Sequence, residues 1–175
     1  MKWIKIVVIM TVSMMFLVAC NVSEEEALLA SEQVFNESFT VESNQANLET
    51  EQLSLYVPRG VTMTEETTYN ILLEKGNQVF LLFFNPVEPL TSTVHMERDA
   101  ELRDEALLFE TYESDEKRGY LLVLEEDDEK KVNTVVGLGG AKISTITAVK
   151  DLEESVEIMT DILHSIKYEQ YGYLR

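Results

Sequence analysis

Thr67–Asn85 reads TTYNILLEKGNQVFLLFFN. Two apolar runs, Ile71–Leu73 and Val79–Phe84, flank the pair Gly76-Asn77. A Gly-Asn pair between apolar runs is a strong hairpin signal, because tight two-residue turns need the positive φ that these residues tolerate. The stretch therefore predicts a strand over Thr67–Lys75, a turn, and a strand over Gln78–Asn85. The run VFLLFF does not alternate. A short unbroken apolar run rich in aromatics predicts a strand covered on both faces. Such a run could also line a ligand pocket, but a core strand is the better account of it.

Working outward, Leu53-Ser54-Leu55-Tyr56-Val57 alternates with period two and predicts a half-buried strand, ended by Pro58-Arg59-Gly60. Pro86-Val87-Glu88-Pro89 stops the central run. Leu90–Arg103 would align Val94, Arg98 and Leu102 on one side of a helix. Strands are predicted over Glu105–Glu113 and Tyr120–Glu125, with polar turns at Ser114–Gly119 and Glu126–Lys131. Val132–Gly139 and Lys142–Val149 pair as a last hairpin around Gly139-Gly140. Asp151 is a good N-cap residue, and Glu154 three positions later completes a capping-box pattern. Leu152, Val156, Met159, Leu163 and Ile166 then form one apolar stripe of a closing helix that ends near Lys167. Tyr168–Arg175 follows as a short extended piece or a frayed tail.

Short turns between strands require antiparallel neighbours. The expected fold class is α+β: an antiparallel meander sheet with a C-terminal helix and helices on both faces, an α/β/α sandwich. The element order, with the closing sequence Ile162-Leu163-His164-Ser165-Ile166, resembles the fold shared by Mog1 and PsbP-like proteins. That resemblance implies a fold and no functional residue.

The N-terminus reads MKWIKIVVIMTVSMMFLVAC. Lys2 and Lys5 precede an apolar core, Ile6–Val18, of the length of a signal-peptide h-region and short for a bilayer span. It ends Leu17-Val18-Ala19-Cys20, which resembles the lipobox of bacterial lipoproteins at all four positions. The resemblance implies cleavage before Cys20 and a diacylglycerol on its thiol, which would hold the protein at the extracytoplasmic face of the cell membrane. Two acyl chains suffice for stable anchoring. The alternatives are a secretory signal cut elsewhere or an uncleaved apolar anchor. Cys20 is the single cysteine, so an exported body must fold without disulfides.

These signals divide the chain into a signal peptide (1–19), an acidic tether (20–51) and one globular domain (52–175). The tether stretch Asn21–Glu51 has eight acidic residues and no Lys, Arg, Gly or Pro. Such blocks are usually solvated. A short helix around Glu25–Phe35 is an option, and Phe35, Phe39 and Val41 could touch the domain, starting the folded part as early as residue 36.

The chain has 14 basic and 32 acidic residues, a net charge of −18. The leader holds two of the basic residues and none of the acidic ones, so the part from Cys20 onward carries −20. That surface excludes nucleic acid as a partner and repels anionic headgroups. A basic protein is the partner it would accept. Glu125–Glu129 is the densest carboxylate run, but it lacks the alternation and central Gly of a calcium loop, and no metal is expected. Gly137-Leu138-Gly139-Gly140 lacks phosphate-loop spacing and reads as a β-turn. His95 and His164 have no nucleophile signature around them. His164 lies off the apolar stripe, which predicts a surface position. Tyr56, Tyr69, Tyr112 and Tyr120 are the candidates for a semi-exposed binding face, since a tyrosine joins apolar area to a polar tip. The reading is a lipid-anchored, non-enzymatic binding module without cofactor. The alternatives are a cell-envelope hydrolase and an assembly factor acting through its acidic surface.

Overall fold

The structure, a computed structural model, describes residues 22–128 and 130–168. The leader, the lipobox with Cys20, and the segment 169–175 lie outside the described residues. The fold is α+β.

Seven strands form the main sheet: β3 (Thr62–Glu66), β4 (Asn70–Lys75), β5 (Gln78–Phe84), β6 (Ala106–Glu113), β7 (Arg118–Glu125), β8 (Lys131–Leu138) and β9 (Ala141–Ala148). Their order is β3-β4-β5-β9-β8-β7-β6, and every pair is antiparallel. Two blocks meet in the middle. The hairpin around Gly76 (φ +60°) joins the β6–β9 meander where Phe80 pairs with Thr145 and Leu82 with Ile143. A smaller sheet, β1 (Leu48–Glu49), β2 (Leu53–Leu55) and β10 (Lys167–Tyr168), has β2 in its centre.

Two long helices, α1 (Glu24–Ser38) and α3 (Leu152–Ser165), cover one face of the main sheet. Strand alternation sends Ile71, Leu73, Phe80, Leu82, Phe84, Leu121, Val123, Val136 and Ile143 to this side, where Phe35, Val156, Met159 and Leu163 meet them in one core. A short helix α2 (Val94–Asp99), continued by a 3₁₀ turn over Ala100–Glu105, lies on the opposite face. Beneath it is a second, smaller core of Tyr120, Leu122 and Val135, packed with Met96, Ala106, Phe109 and Leu124.

Several expectations change here. The folded body begins at α1, inside the stretch expected to be an acidic tether. Ser23 caps the helix through a full capping box with Glu26, and three glutamates in the first turn complement the helix dipole. The acidic character is thus helix chemistry, while Ala27, Ser31 and Phe35 are buried from the same helix. The predicted strand Thr67–Lys75 starts at Asn70, and β3 before it lacked an apolar signal because all five of its residues are exposed. The segment Leu90–Arg103 is helical only from Val94, and it changes to 3₁₀ geometry after Asp99. Asp151 does precede α3, but its side chain makes no cap hydrogen bond, and Glu154 pairs with Lys75 instead. The apolar stripe of α3 holds for Leu152, Val156, Met159 and Leu163, which are buried, but the helix ends at Ser165, so its fifth member, Ile166, is a half-buried residue of extended backbone just beyond it.

Candidate functional site

The run VFLLFF is not covered on both faces. Phe80, Leu82 and Phe84 are fully buried under the helices, but Val79 and Leu81 are 43% and 42% exposed on the other side. Strand β7 is the one that matches the double-covered pattern, with Leu121 and Val123 in one core and Tyr120 and Leu122 in the other. The cause is the length of α2. Six helical residues with a following 3₁₀ turn roof Tyr120, Leu122 and Val135 and reach the Phe83–Lys142 end of β5 and β9, and they leave Val79, Leu81 and Ile146 farther along those strands open.

Register assembles the open half. Leu81 stands between Leu72 on β4 and Ser144 on β9. The step beyond the Phe80–Thr145 pair brings Val79 beside Ile146, which is 51% exposed and opposite Asn133 of β8. Val79, Leu81, Asn133, Ser144 and Ile146, with Asn77 at the hairpin tip, line a shallow depression of about 440 Å³. Three adjoining exposed aliphatics on a sheet are unlike single scattered apolar residues, and contiguous patches of this kind mark interaction surfaces. Its amide and hydroxyl rim supplies hydrogen-bonding groups but no titratable one, which suits binding rather than bond-breaking. Glu65 pairs with Leu72 and Glu74 with Val79, so both carboxylates border the same face.

The four candidate tyrosines do not gather into one face. Tyr120 is buried on the α2 side, whereas Tyr112 pairs with Gly119, points to the α1 side and packs on Phe39 at 4.9 Å between ring centroids. Tyr56 is half-buried beside β2, its backbone N–H donating to Ser165 Oγ at 2.7 Å. Tyr69 is 50% exposed in the loop before β4.

Two charged clusters deserve weighing against the open face. Asp99, at the end of α2, accepts a short hydrogen bond from the Tyr120 hydroxyl and an ammonium contact from Lys142 Nζ at 3.0 Å. The Asp99 side chain is 12% exposed. Burial first, then the Asp99 hydrogen bond, push the Tyr120 hydroxyl well above the ordinary tyrosine range. His95 on α2 packs edge-on to Phe83 at 5.3 Å, and burial, followed by Lys142, lowers its pKa. The polar atoms of Asp99, Tyr120 and Lys142 are spent on one another, so this network latches α2 to the sheet. Replacing Asp99 with Ala would strand a buried hydroxyl and a half-buried ammonium, for an expected loss of about 1–3 kcal/mol. Thermal unfolding would measure the loss, and hydrogen exchange should report faster opening at residues 94–99 specifically.

His164, expected at the surface, is half-buried: its ring packs on Phe39 at 5.7 Å, and Lys117 Nζ donates to His164 Nε2 at 2.6 Å. A lysine ammonium donating to Nε2 requires a neutral imidazole that accepts there, and the Ser38 backbone also hydrogen-bonds the ring. Burial, then Lys117, lower the pKa below the usual value of 6.5. An unfolded histidine takes up its proton first as pH falls. The contribution of His164 is therefore complete above about pH 6.5 and lost as pH falls through the lowered folded value. Ring-proton NMR should find its midpoint below 6.5, and Lys117→Met should move that midpoint upward.

Among the described residues no group of three or more His, Cys, Asp or Glu side chains could hold a metal, and no helix is long and apolar enough to cross a membrane. Of the run Glu125–Glu129, Glu129 lies outside the described residues, and the rest sits at the end of β7 and in the following turn, where Asp128 pairs with Lys131 at 3.5 Å. Gly139, at φ +55°, and Gly140 form the β8–β9 turn, as expected.

No family model and no curated protein match the chain. A solved structure from Bacteroides thetaiotaomicron VPI-5482 is similar over 70% of this chain, at 11% identity and a TM-score of 0.37. The similarity spans 47% of that chain, about half its length.

Proposed function

We propose that this protein is a lipid-anchored extracytoplasmic binding module that holds a protein partner on the open half of its outer sheet face. The observation that carries the binding part is the adjoining exposure of Val79, Leu81 and Ile146 on a face otherwise roofed by α2. The anchoring part rests on Leu17-Val18-Ala19-Cys20 after a charged and apolar leader. The two fit physically. A diacylglycerol on Cys20 would confine the domain to the membrane surface, and the net charge of −20 from Cys20 onward keeps its body off anionic headgroups.

The test is made in intact cells. Wild type and Cys20→Ala are labelled with a tagged fatty acid and fractionated, each carrying a photo-crosslinker at position 81 or, as control, at position 29. Label and membrane retention in the wild type alone, with a discrete crosslinked species from position 81 and none from 29, are expected. Leu29 is a fair control because it is 59% exposed on α1, which covers the opposite face. Label on neither protein would end the anchoring reading. Equal crosslinking from both positions would end the binding one.

A further inference from the structure

We infer that the partner segment received by the open sheet half is a basic amphipathic helix; this rests on the binding reading above and names its partner. Three observations point there. First, the apolar anchors Val79, Leu81 and Ile146 occupy two adjacent strands, which lie about 4.8 Å apart. A compact strip of that width fits the stripe that a helix presents at i, i+3, i+4 and i+7. Second, the face is bordered by Glu65 and Glu74, and neither forms an ion pair among the described residues. The neighbouring cations are engaged: Lys142 with Asp99 at 3.0 Å and Lys131 with Asp128 at 3.5 Å. An apolar strip with uncompensated carboxylates on its rim complements a helix with apolar anchors and Lys or Arg flanks. Third, the sheet is closed to strand addition beside this face. Edge strand β3 carries Glu65 and Glu66 and a bulge between Met63 and Glu65, devices that discourage edge pairing.

Charge also decides against the competing occupants. A second copy docked face to face would set Glu65 and Glu74 against an equally acidic surface, and each chain carries −18. An anionic bilayer is repelled in the same way.

The test uses two synthetic peptides of about 18 residues, long enough for five helical turns. Both carry Leu at i, i+3, i+4 and i+7. One has Lys at the remaining positions and the other has Glu. Binding to the 22–175 chain is followed by fluorescence anisotropy, and contact by NMR shifts of the Leu81 and Ile146 methyls. The Lys peptide is expected to bind, to shift those methyls, and to weaken steeply between about 50 mM and about 500 mM salt. Leu81→Thr with Ile146→Thr keeps β-compatible residues at exposed sites and should weaken binding at least about tenfold. Glu65→Gln with Glu74→Gln should weaken it severalfold and flatten the salt dependence.

Equal binding of the Lys peptide to the Leu81→Thr, Ile146→Thr protein would overturn the inference, since attraction would then be to acidity in general. Equal binding of both peptides, lost in that variant, would overturn the basic partner but keep the binding surface. A wild-type dimer in sedimentation that this variant abolishes would assign the face to a second copy. No methyl shift with either peptide would remove the surface and its partner together.

Discussion

Phe35→Ala should cost about 3–5 kcal/mol, the usual range for truncating a fully buried phenylalanine. Phe35 has no exposed surface, packs edge-on against Phe39 at 5.2 Å, and belongs to the same cluster as Val156, Met159 and Leu163 of α3. The loss is a large share of the stability of an ordinary domain, so the variant should melt far below the wild type or fail to fold at ambient temperature. Leu29→Ala on the same helix should stay within about 0.5 kcal/mol, because Leu29 is 59% exposed. The contrast is measured by urea unfolding of both variants. Were 20–51 a solvated tether, both substitutions would be silent.

Gly137→Ala should cost about 3 kcal/mol, at the upper end for overpacking. Gly137 faces Tyr120 across the β7–β8 pair, and a Cβ there would overlap Tyr120 Cε1 and stand 2.7 Å from Cδ1 and Cζ. The ring cannot simply rotate away. Its hydroxyl is tied to Asp99, and its face is stacked on Phe109 at 6.3 Å. Strand geometry offers the backbone no slack either, since Gly137 pairs with Lys142 on its other side. A double-mutant cycle makes the cause explicit. In a Tyr120→Ala background the same Gly137→Ala change should be close to neutral, a coupling above about 1 kcal/mol. Additive losses would mean that the ring is not what the glycine accommodates.

Both expectations concern residues that a linear reading names without giving their weight: Phe35 as a side chain that could touch the domain, and Gly137 as a member of the predicted strand Val132–Gly139. Phe35 sits among Glu24, Glu25, Glu26, Glu32 and Glu37, and composition therefore read the segment as solvated. The helix is amphipathic in a sparse way: Ala27, Ser31 and Phe35 make a seam at i, i+4 and i+8, and two of the three are too small or polar to register as hydrophobic. Ser31 satisfies its own hydroxyl by donating to the Ala27 carbonyl at 2.7 Å, which makes it a tolerable seam residue. Gly137 falls under two readings, the strand Val132–Gly139 and the glycine-rich β-turn, and it lies inside β8.

The candidate site divides in the same way. The sequence reading placed hope in Tyr56, Tyr69, Tyr112 and Tyr120 because of their residue type. Residue type does not say which way a strand faces, and a one-residue offset sends neighbouring side chains to opposite faces. Tyr112 and Tyr120 are separated by that rule alone. Val79 and Leu81 were legible as strand residues but not as exposed ones, because an unbroken apolar run looks the same whether its second face is roofed or bare.

By itself the sequence determined the α+β class, the antiparallel pairing, the Gly76 and Gly139 turns, the apolar stripe of α3 and the strongly acidic charge. These follow from local periodicity, turn chemistry and composition, which need no knowledge of distant residues. Only the tertiary structure decided that α1 belongs to the body, that Asp99 latches α2 through Tyr120 and Lys142, and that α2 stops short of Val79, Leu81 and Ile146. Each of these depends on which surface meets which across long separations in the chain, and burial is a property of that meeting rather than of the residue.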